Sequence, residues 1–303
     1  MRLFLKRALL ALLLLALVLY GAFALTSHPV EPHPYFASGD VLVIAHRGGK
    51  GLAPENTLAA FAHSAALGVD VLEMDLRQSS DGALIVLHDR RVDRTTNGQG
   101  AADSLSLAQL KQLDAGYHFS LDGQTFPYRG QGVAIPTLDE VFIAFPNMRF
   151  LIEIKDDSAS LVNDFCHTIQ RFQLSDRVIT ASFHSRPLEH LRQTCPEVAT
   201  SASSSAGMSF IFLHWLRLDA AYHPASQAFQ FPTRLGKIDL IDQRFIARAR
   251  AHNIQVHIWT INDPDAMQHY LDLGVDGLIT DYPDRLLRIL NRQPAEETPW
   301  ATQ

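Results

Sequence analysis

Between Val41 and Leu290 the chain alternates between short apolar runs and stretches of helical periodicity. The runs are Val41–Ala45, Val69–Asp75, Arg149–Ile154 and Val178–Ala181, weaker ones near Val198 and Phe229–Phe231, then Gln255–Trp259 and Gly277–Thr280. They are β-branched and apolar at successive positions, so both faces of each strand must be covered. Helical patterns separate them, among them Thr57–Leu67, Thr137–Ala144, Ala159–Phe172, Asp242–His252 and Pro264–Leu273. Strands buried on both faces and joined by helices form a parallel sheet. Eight such units over about 250 residues predict an α/β fold, a (β/α)8 barrel. A doubly wound open sheet is the competing architecture, but no G-x-G-x-x-G fingerprint supports it. The polar, Gly- and Asp-rich segment from Gly98 to Val133 reads as an excursion at the mouth after the second strand.

The first 25 residues follow another rule. Arg2, Lys6 and Arg7 precede an uncharged, leucine-rich run from Ala8 to Leu25, just long enough to cross a bilayer. The basic flank stays in the cytoplasm, which sends the rest of the chain across the membrane. Ala22-Phe23-Ala24 also has the form of a signal-cleavage site. The expectation is therefore a membrane-anchored domain on the extracytoplasmic side, with secretion after cleavage as the alternative. The predicted organisation is a transmembrane or signal segment at 1–25, a Pro-rich tether at 26–40, a catalytic barrel at 41–292 and a tail at 293–303. In an exported protein Cys166 and Cys195 could pair. The formal net charge is −6 and no basic stripe is present, which argues against nucleic acid as a partner.

The chemistry-bearing residues fall at strand ends. Glu73 and Asp75 lie two apart on an apolar strand, so they share a face. Buried carboxylates side by side repel and resist desolvation unless a counter-ion joins them. Glu153 and Lys155 repeat the spacing on the next strand of the barrel. Glu73, Asp75 and Glu153 make an all-oxygen set that suits Mg²⁺ or Ca²⁺ rather than zinc. His46 and Arg47 close the first strand. After the Asp81-Gly82 turn, Ala83–Leu87 reads as the return arm of a hairpin that carries His88 back to the same mouth. In a barrel, functional groups gather at the C-terminal ends of strands. Two histidines suit general acid and base, and Arg47 and Lys155 suit phosphate oxygens. The object held is a phosphodiester.

The series HRG, PENT, E-x-D, HD, IEIK, WTIN and GLITDYPD, in this order from Val41 to Leu290, resembles the glycerophosphodiester phosphodiesterase family. The resemblance implies a TIM barrel that uses a divalent cation to hydrolyse glycerophosphodiesters to glycerol 3-phosphate and an alcohol. It implies His46 and His88 as the acid/base pair, Glu73, Asp75 and Glu153 as metal ligands, and Arg47 and Lys155 as phosphate-binding residues. Which histidine is acid and which base stays open. Trp259 ends the seventh strand, where it either packs in the core or walls the substrate pocket. His257 is expected inside. Glu55 and Asn56 read as caps of the following helix, and Asp281 as a partner of nearby backbone or of Arg47.

The segment Met208–Leu218 carries Phe210, Phe212, Leu213, Trp215 and Leu216 close together. It either packs as an ordinary barrel helix or dips into the membrane interface. The second placement favours lysophospholipids as substrates and resembles the membrane-bound lysophospholipases D of the family. A membrane-tethered protein that binds phosphodiesters without cleaving them is the alternative of another class.

Overall fold

The computed structural model describes residues 1–292; the expected tail at 293–303 lies outside them. Among the described residues eleven strands form: β1 (Leu42–Ala45), β2 (Val71–Gln78), β3 (Leu84–Val86), β4 (Arg149–Ile154), β5 (Val178–Ala181), β6 (Ala199–Thr200), β7 (Ala228–Pro232), β8 (Arg234–Leu235), β9 (Ile238–Asp239), β10 (Gln255–Trp259) and β11 (Gly277–Thr280). Eight of them run parallel in the order β6-β5-β4-β2-β1-β11-β10-β7. A parallel bridge between Ser201 and Ala228 joins the ends, and the Ala202 N–H donates to the Ala228 carbonyl at 2.8 Å. The sheet thus closes into the expected barrel. The open-sheet alternative fails because both edges find partners.

The core lies in two layers. Between strands and helices sit Phe61, Leu72, Met74, Phe150, Phe165, Phe210, Phe229 and Phe245, all fully buried. Inside the barrel, Leu42, Ile44, Val71, Leu151, Ile179 and Ile279 face one another, closed from below by Tyr35 and Phe36. This alternation of inward and outward residues is why each strand is apolar on both faces. The excursion after β2 has a small core of its own, with Ile85, Leu87, Val92, Leu110 and Ile135 buried.

Two extensions depart from a plain barrel. Hairpin β2–β3 forms as expected, in the register Leu76↔Val86 and Gln78↔Leu84, with Gly82 in the left-handed region at φ 85°. A second hairpin, β8–β9, rises from the end of β7. Cys166 and Cys195 pair in a disulfide that links the helices Ala159–Phe172 and Ser185–Thr194, with Cα atoms 5.9 Å apart.

The N-terminal helix Arg2–Thr26 is exposed along its apolar length. Its span Phe4–Thr26, 23 residues long, reaches ~35 Å at 1.5 Å per residue, enough for a bilayer core. The segment expected to be a tether is docked on the barrel. The Val30 N–H donates to the His252 carbonyl at 3.0 Å, and the Asn253 amide donates to the Val30 carbonyl at 2.7 Å. His33 meets the Glu197 carbonyl at 3.0 Å, and Tyr35 is 1% exposed under the barrel.

Candidate active site

The strand register brings the predicted residues together. In the β2–β4 pairing Asp75 lies opposite Glu153, and Glu73 points to the same face one pleat lower. In β1, Ala45 pairs with Leu72 on one side and Thr280 on the other. The next residue, His46, therefore stands between Glu73 and Asp281. Beyond it the chain turns sharply: Arg47, Gly48 and Gly49 all have positive φ, at 51°, 79° and 83°. A Cβ on Gly48 would lie 2.8 Å from the Phe61 ring, so only glycine fits there. The turn aims the Arg47 backbone N–H at the Glu73 carboxylate, which accepts it.

Carboxylate oxygens of Glu73, Asp75 and Glu153 lie within 4.8 Å of one another. Lys155 Nζ stands 2.9 Å from Asp75 Oδ1 and 2.8 Å from Glu153 Oε1. Both are ion pairs, and they bridge the two carboxylates through one ammonium. Asp75 accepts from the Asn56 amide at 2.8 Å and has Arg47 Nε at 3.5 Å. Burial, then the Asp75 charge, pushes the Glu73 carboxyl well above the usual range. Burial also raises Glu153, against the pull of Lys155. Asp75 goes the other way: burial opposes its charge, but Lys155 and Arg47 outweigh it and hold the carboxyl low. Three converging carboxylates, two of them held toward neutrality, fit a hard divalent cation. Asp75 is 1% exposed and sits behind the other two.

Each histidine is fixed by a carboxylate. His46 Nδ1 lies 2.6 Å from Asp281 Oδ1, and the Asn262 amide donates to Asp281 Oδ2 at 2.8 Å. Burial works to raise Asp281, yet the His46 bond and charge bring it below its ordinary value. His88 Nδ1 lies 2.7 Å from Asp89 Oδ1, and Arg94 donates to Asp89 Oδ2 at 2.5 Å. Partial burial opposes the Asp89 charge, but the Arg94 and His88 bonds bring its carboxyl down to about 2. Arg77, from β2, donates twice to the His88 carbonyl, at 3.0 and 2.9 Å, and so pins that residue at the mouth. With Nδ1–H given to a carboxylate, each ring turns its Nε2 side away from that partner.

These groups meet in a cleft of about 430 Å³. His46, Arg47, Lys50, Glu73, His88, Glu153 and Lys155 line its floor; Phe183, Met208, Phe231, Leu235 and Trp259 line its wall. Trp259 faces the cleft, with its ring 5.9 Å edge-on from Phe183. His257 is fully buried in the barrel, as expected. Glu55 and Asn56 correct their sequence reading. The helix cap is Thr57, whose hydroxyl accepts the Ala60 N–H at 3.2 Å. Asn56 instead holds Asp75, and Glu55 joins Arg47 at 3.0 Å to Arg94 at 2.8 Å. Asp281, Asp89 and Asn262 are further members that strand-end spacing alone did not assign.

Residues 46–285 match the profile of the glycerophosphoryl diester phosphodiesterase family. The chain belongs to that family. A glycerophosphodiester phosphodiesterase of Caldanaerobacter subterraneus subsp. tengcongensis is 32% identical over 257 residues, covering 83% of this chain and 98% of the relative. A lysophospholipase D of Rattus norvegicus is 25% identical over 277 residues, 83% of this chain and 87% of the relative. A solved phosphodiesterase of Oleispira antarctica, in complex with the product sn-glycerol-3-phosphate, superposes with a TM-score of 0.70 at 27% identity, covering 84% of this chain and 98% of that one. The chain is thus an enzyme, a phosphoric diester hydrolase with glycerophosphodiester phosphodiesterase activity, and the binding-only alternative falls.

Proposed function

We propose that this enzyme cleaves glycerophosphodiesters by paired histidine catalysis at the cleft floor, with a divalent cation (Mg²⁺ or Ca²⁺) on Glu73, Asp75 and Glu153. The observation that carries this is the pair of histidines, each locked through Nδ1 to a carboxylate and both lining one cleft with Arg47 and Lys155. When bound, the cation would draw charge from a nonbridging phosphate oxygen. Arg47 and Lys155 bind the phosphate and stabilise the charge that grows on it. One histidine takes the proton of the free glycerol 2-hydroxyl, and that oxygen attacks phosphorus. The other histidine protonates the departing alkoxide. The roles then reverse: the second ring deprotonates a water, which opens the cyclic phosphate, and the first returns its proton to the 2-oxygen. The products are glycerol 3-phosphate and an alcohol, and the rings end as they began.

A second reading is favoured by the wall of the cleft. Phe183, Met208, Phe231, Leu235 and Trp259 offer a large alcohol an apolar surface, which a lysophospholipid substrate would use. The relative named a lysophospholipase D supports it. On either reading the helix Arg2–Thr26 holds the barrel on the extracytoplasmic face of a membrane, unless cleavage releases it. The test is release of glycerol 3-phosphate or lysophosphatidic acid by the full chain, with glycerophosphocholine and lysophosphatidylcholine side by side. Activity should vanish in EDTA and return with Mg²⁺ or Ca²⁺. Turnover that persists in EDTA overturns the metal assignment; the preferred substrate decides between the two alcohols.

A further inference from the structure

Several of the exposed apolar residues of the barrel form a line. On the helix Ser204–Trp215 and just past it, Met208, Phe212, Trp215 and Leu216 are 42%, 59%, 47% and 52% exposed. Spacings of four, seven and eight place them on one helical stripe. The helix follows β6, so it descends from the mouth of the barrel to its base. At the upper end Met208 lines the cleft, beside Leu235 on the hairpin β8–β9. Leu235 and Ile238 of that hairpin are 46% and 51% exposed.

At the lower end the stripe runs into the docking point of the N-terminal helix. Ser27 donates to the Tyr222 carbonyl at 2.5 Å, and His223 donates from Nε2 to the Phe23 carbonyl at 3.1 Å. The Phe23 ring meets His223 edge-on at 5.7 Å. The barrel side of this dock is braced, because the neighbouring Asp219 is fully buried and accepts from both Arg244 and Arg248. The dock takes in Phe23, within the last turn of the helix, and Ser27, one residue past its end. The barrel therefore cannot swing away on a flexible arm: whatever holds Phe4–Thr26 also holds the face around Tyr222.

We infer that this face is a membrane contact, and that the barrel lies on its side against the bilayer. The stripe on Ser204–Trp215 would then rest along the lipid–water interface, with the cleft opening at headgroup level. The inference rests on the helix being retained as an anchor and holds for either alcohol. Three observations select lipid as the occupant. The stripe is continuous with a membrane-spanning helix at one end and with the cleft at the other. It carries Trp and Phe, which favour the interface. Exposed Arg217 and Lys237 flank its two ends, where they can meet lipid phosphates.

The test is spin-label accessibility in the full chain, reconstituted in phosphatidylcholine–phosphatidylglycerol vesicles. Phe212→Cys and Leu216→Cys report on the stripe. Ile143→Cys, 67% exposed on the helix Leu138–Ala144 three barrel strands away, is the reference. None of these residues lines the cleft, so glycerophosphocholine turnover should stay within twofold of the parent and certify the fold. The expected result is a ratio of oxygen to aqueous nickel-chelate accessibility several-fold higher at 212 and 216 than at 143. Equal ratios at all three sites overturn the inference. Labels at 212 and 216 that broaden each other between copies, with both reagents excluded, also overturn it and assign the face to a second copy of the chain.

Discussion

The sharpest test of the site is Asp281→Asn. Asp281 bonds neither Arg47 nor Lys155 and stands apart from the carboxylate cluster; it holds His46 through Nδ1 at 2.6 Å, with the two side chains 12% and 15% exposed. A charge-assisted bond of this kind, little screened by water, is worth ~1.5–3 kcal/mol. At ~1.4 kcal/mol per decade that alone is about 10- to 150-fold in rate. The orientation of the new amide adds to the loss. Asn262 donates to Oδ2 of Asp281, and Lys50 Nζ lies 3.7 Å from the same oxygen. The substituted amide would keep its oxygen on that side and turn its NH₂ toward His46 Nδ1. The ring must then accept at Nδ1 and carry its proton on Nε2, which removes its basic nitrogen from the cleft. The expected outcome is a fall in kcat of about 100-fold or more with KM within threefold, because the partner acts in the proton transfers and not in binding. Steady-state hydrolysis of glycerophosphocholine at saturating cation measures both constants. The double variant with His46→Ala should be no slower than His46→Ala alone. A kcat within threefold of the parent, or an additive double variant, would falsify the positioning role.

Other outcomes follow from the same geometry. Glu73→Gln replaces a carboxyl already pushed toward neutrality by burial and by Asp75, so the cation-free protein should keep its melting temperature or gain slightly. The parent should gain ~2.7 kcal/mol at a cation concentration 100 times its Kd, and the variant should lose most of that gain; calorimetry with and without cation decides. Burial lowers the His88 pKa, only partly offset by Asp75, and a bound cation would act in the same direction. Its ring should therefore titrate below the ordinary midpoint of ~6.5 in an NMR titration of the EDTA-treated protein, and a midpoint above that value is the contrary result. Because that folded pKa is depressed, His88 detracts from stability as the pH falls below about 6.5, where the unfolded ring takes up its proton first. Reduction of Cys166–Cys195, which closes a loop with a sequence separation of 29, should lower unfolding stability by ~3–4 kcal/mol in urea melts.

Much of this site was legible because strand geometry is local. Two residues apart on a buried strand must share a face, so Glu73 with Asp75 and Glu153 with Lys155 could be paired from spacing alone. The Asp81-Gly82 turn returned His88 to the mouth for the same reason. The docked segment at 26–40 was not legible. Its prolines and polar residues report solubility, while its role depends on Tyr35 finding a hole that only the closed barrel provides. Glu55 and Asn56 misled for another reason. Both precede a helix and both can cap one, but Thr57 takes the cap, which frees Asn56 for Asp75 across 19 residues of sequence.

The bond between His46 and Asp281 spans 235 residues, and no local period announces it. It was nevertheless contained in the fold prediction. A closed parallel barrel must place its last strand beside its first, so β11 pairs with β1. Residues just past the ends of paired strands lie at the same height over the mouth. A histidine after β1 and an aspartate after β11 are then neighbours across that pairing. The Asp281→Asn experiment thus probes the β1–β11 pairing as well as the chemistry, since a positioning effect on His46 requires those two strands to lie side by side.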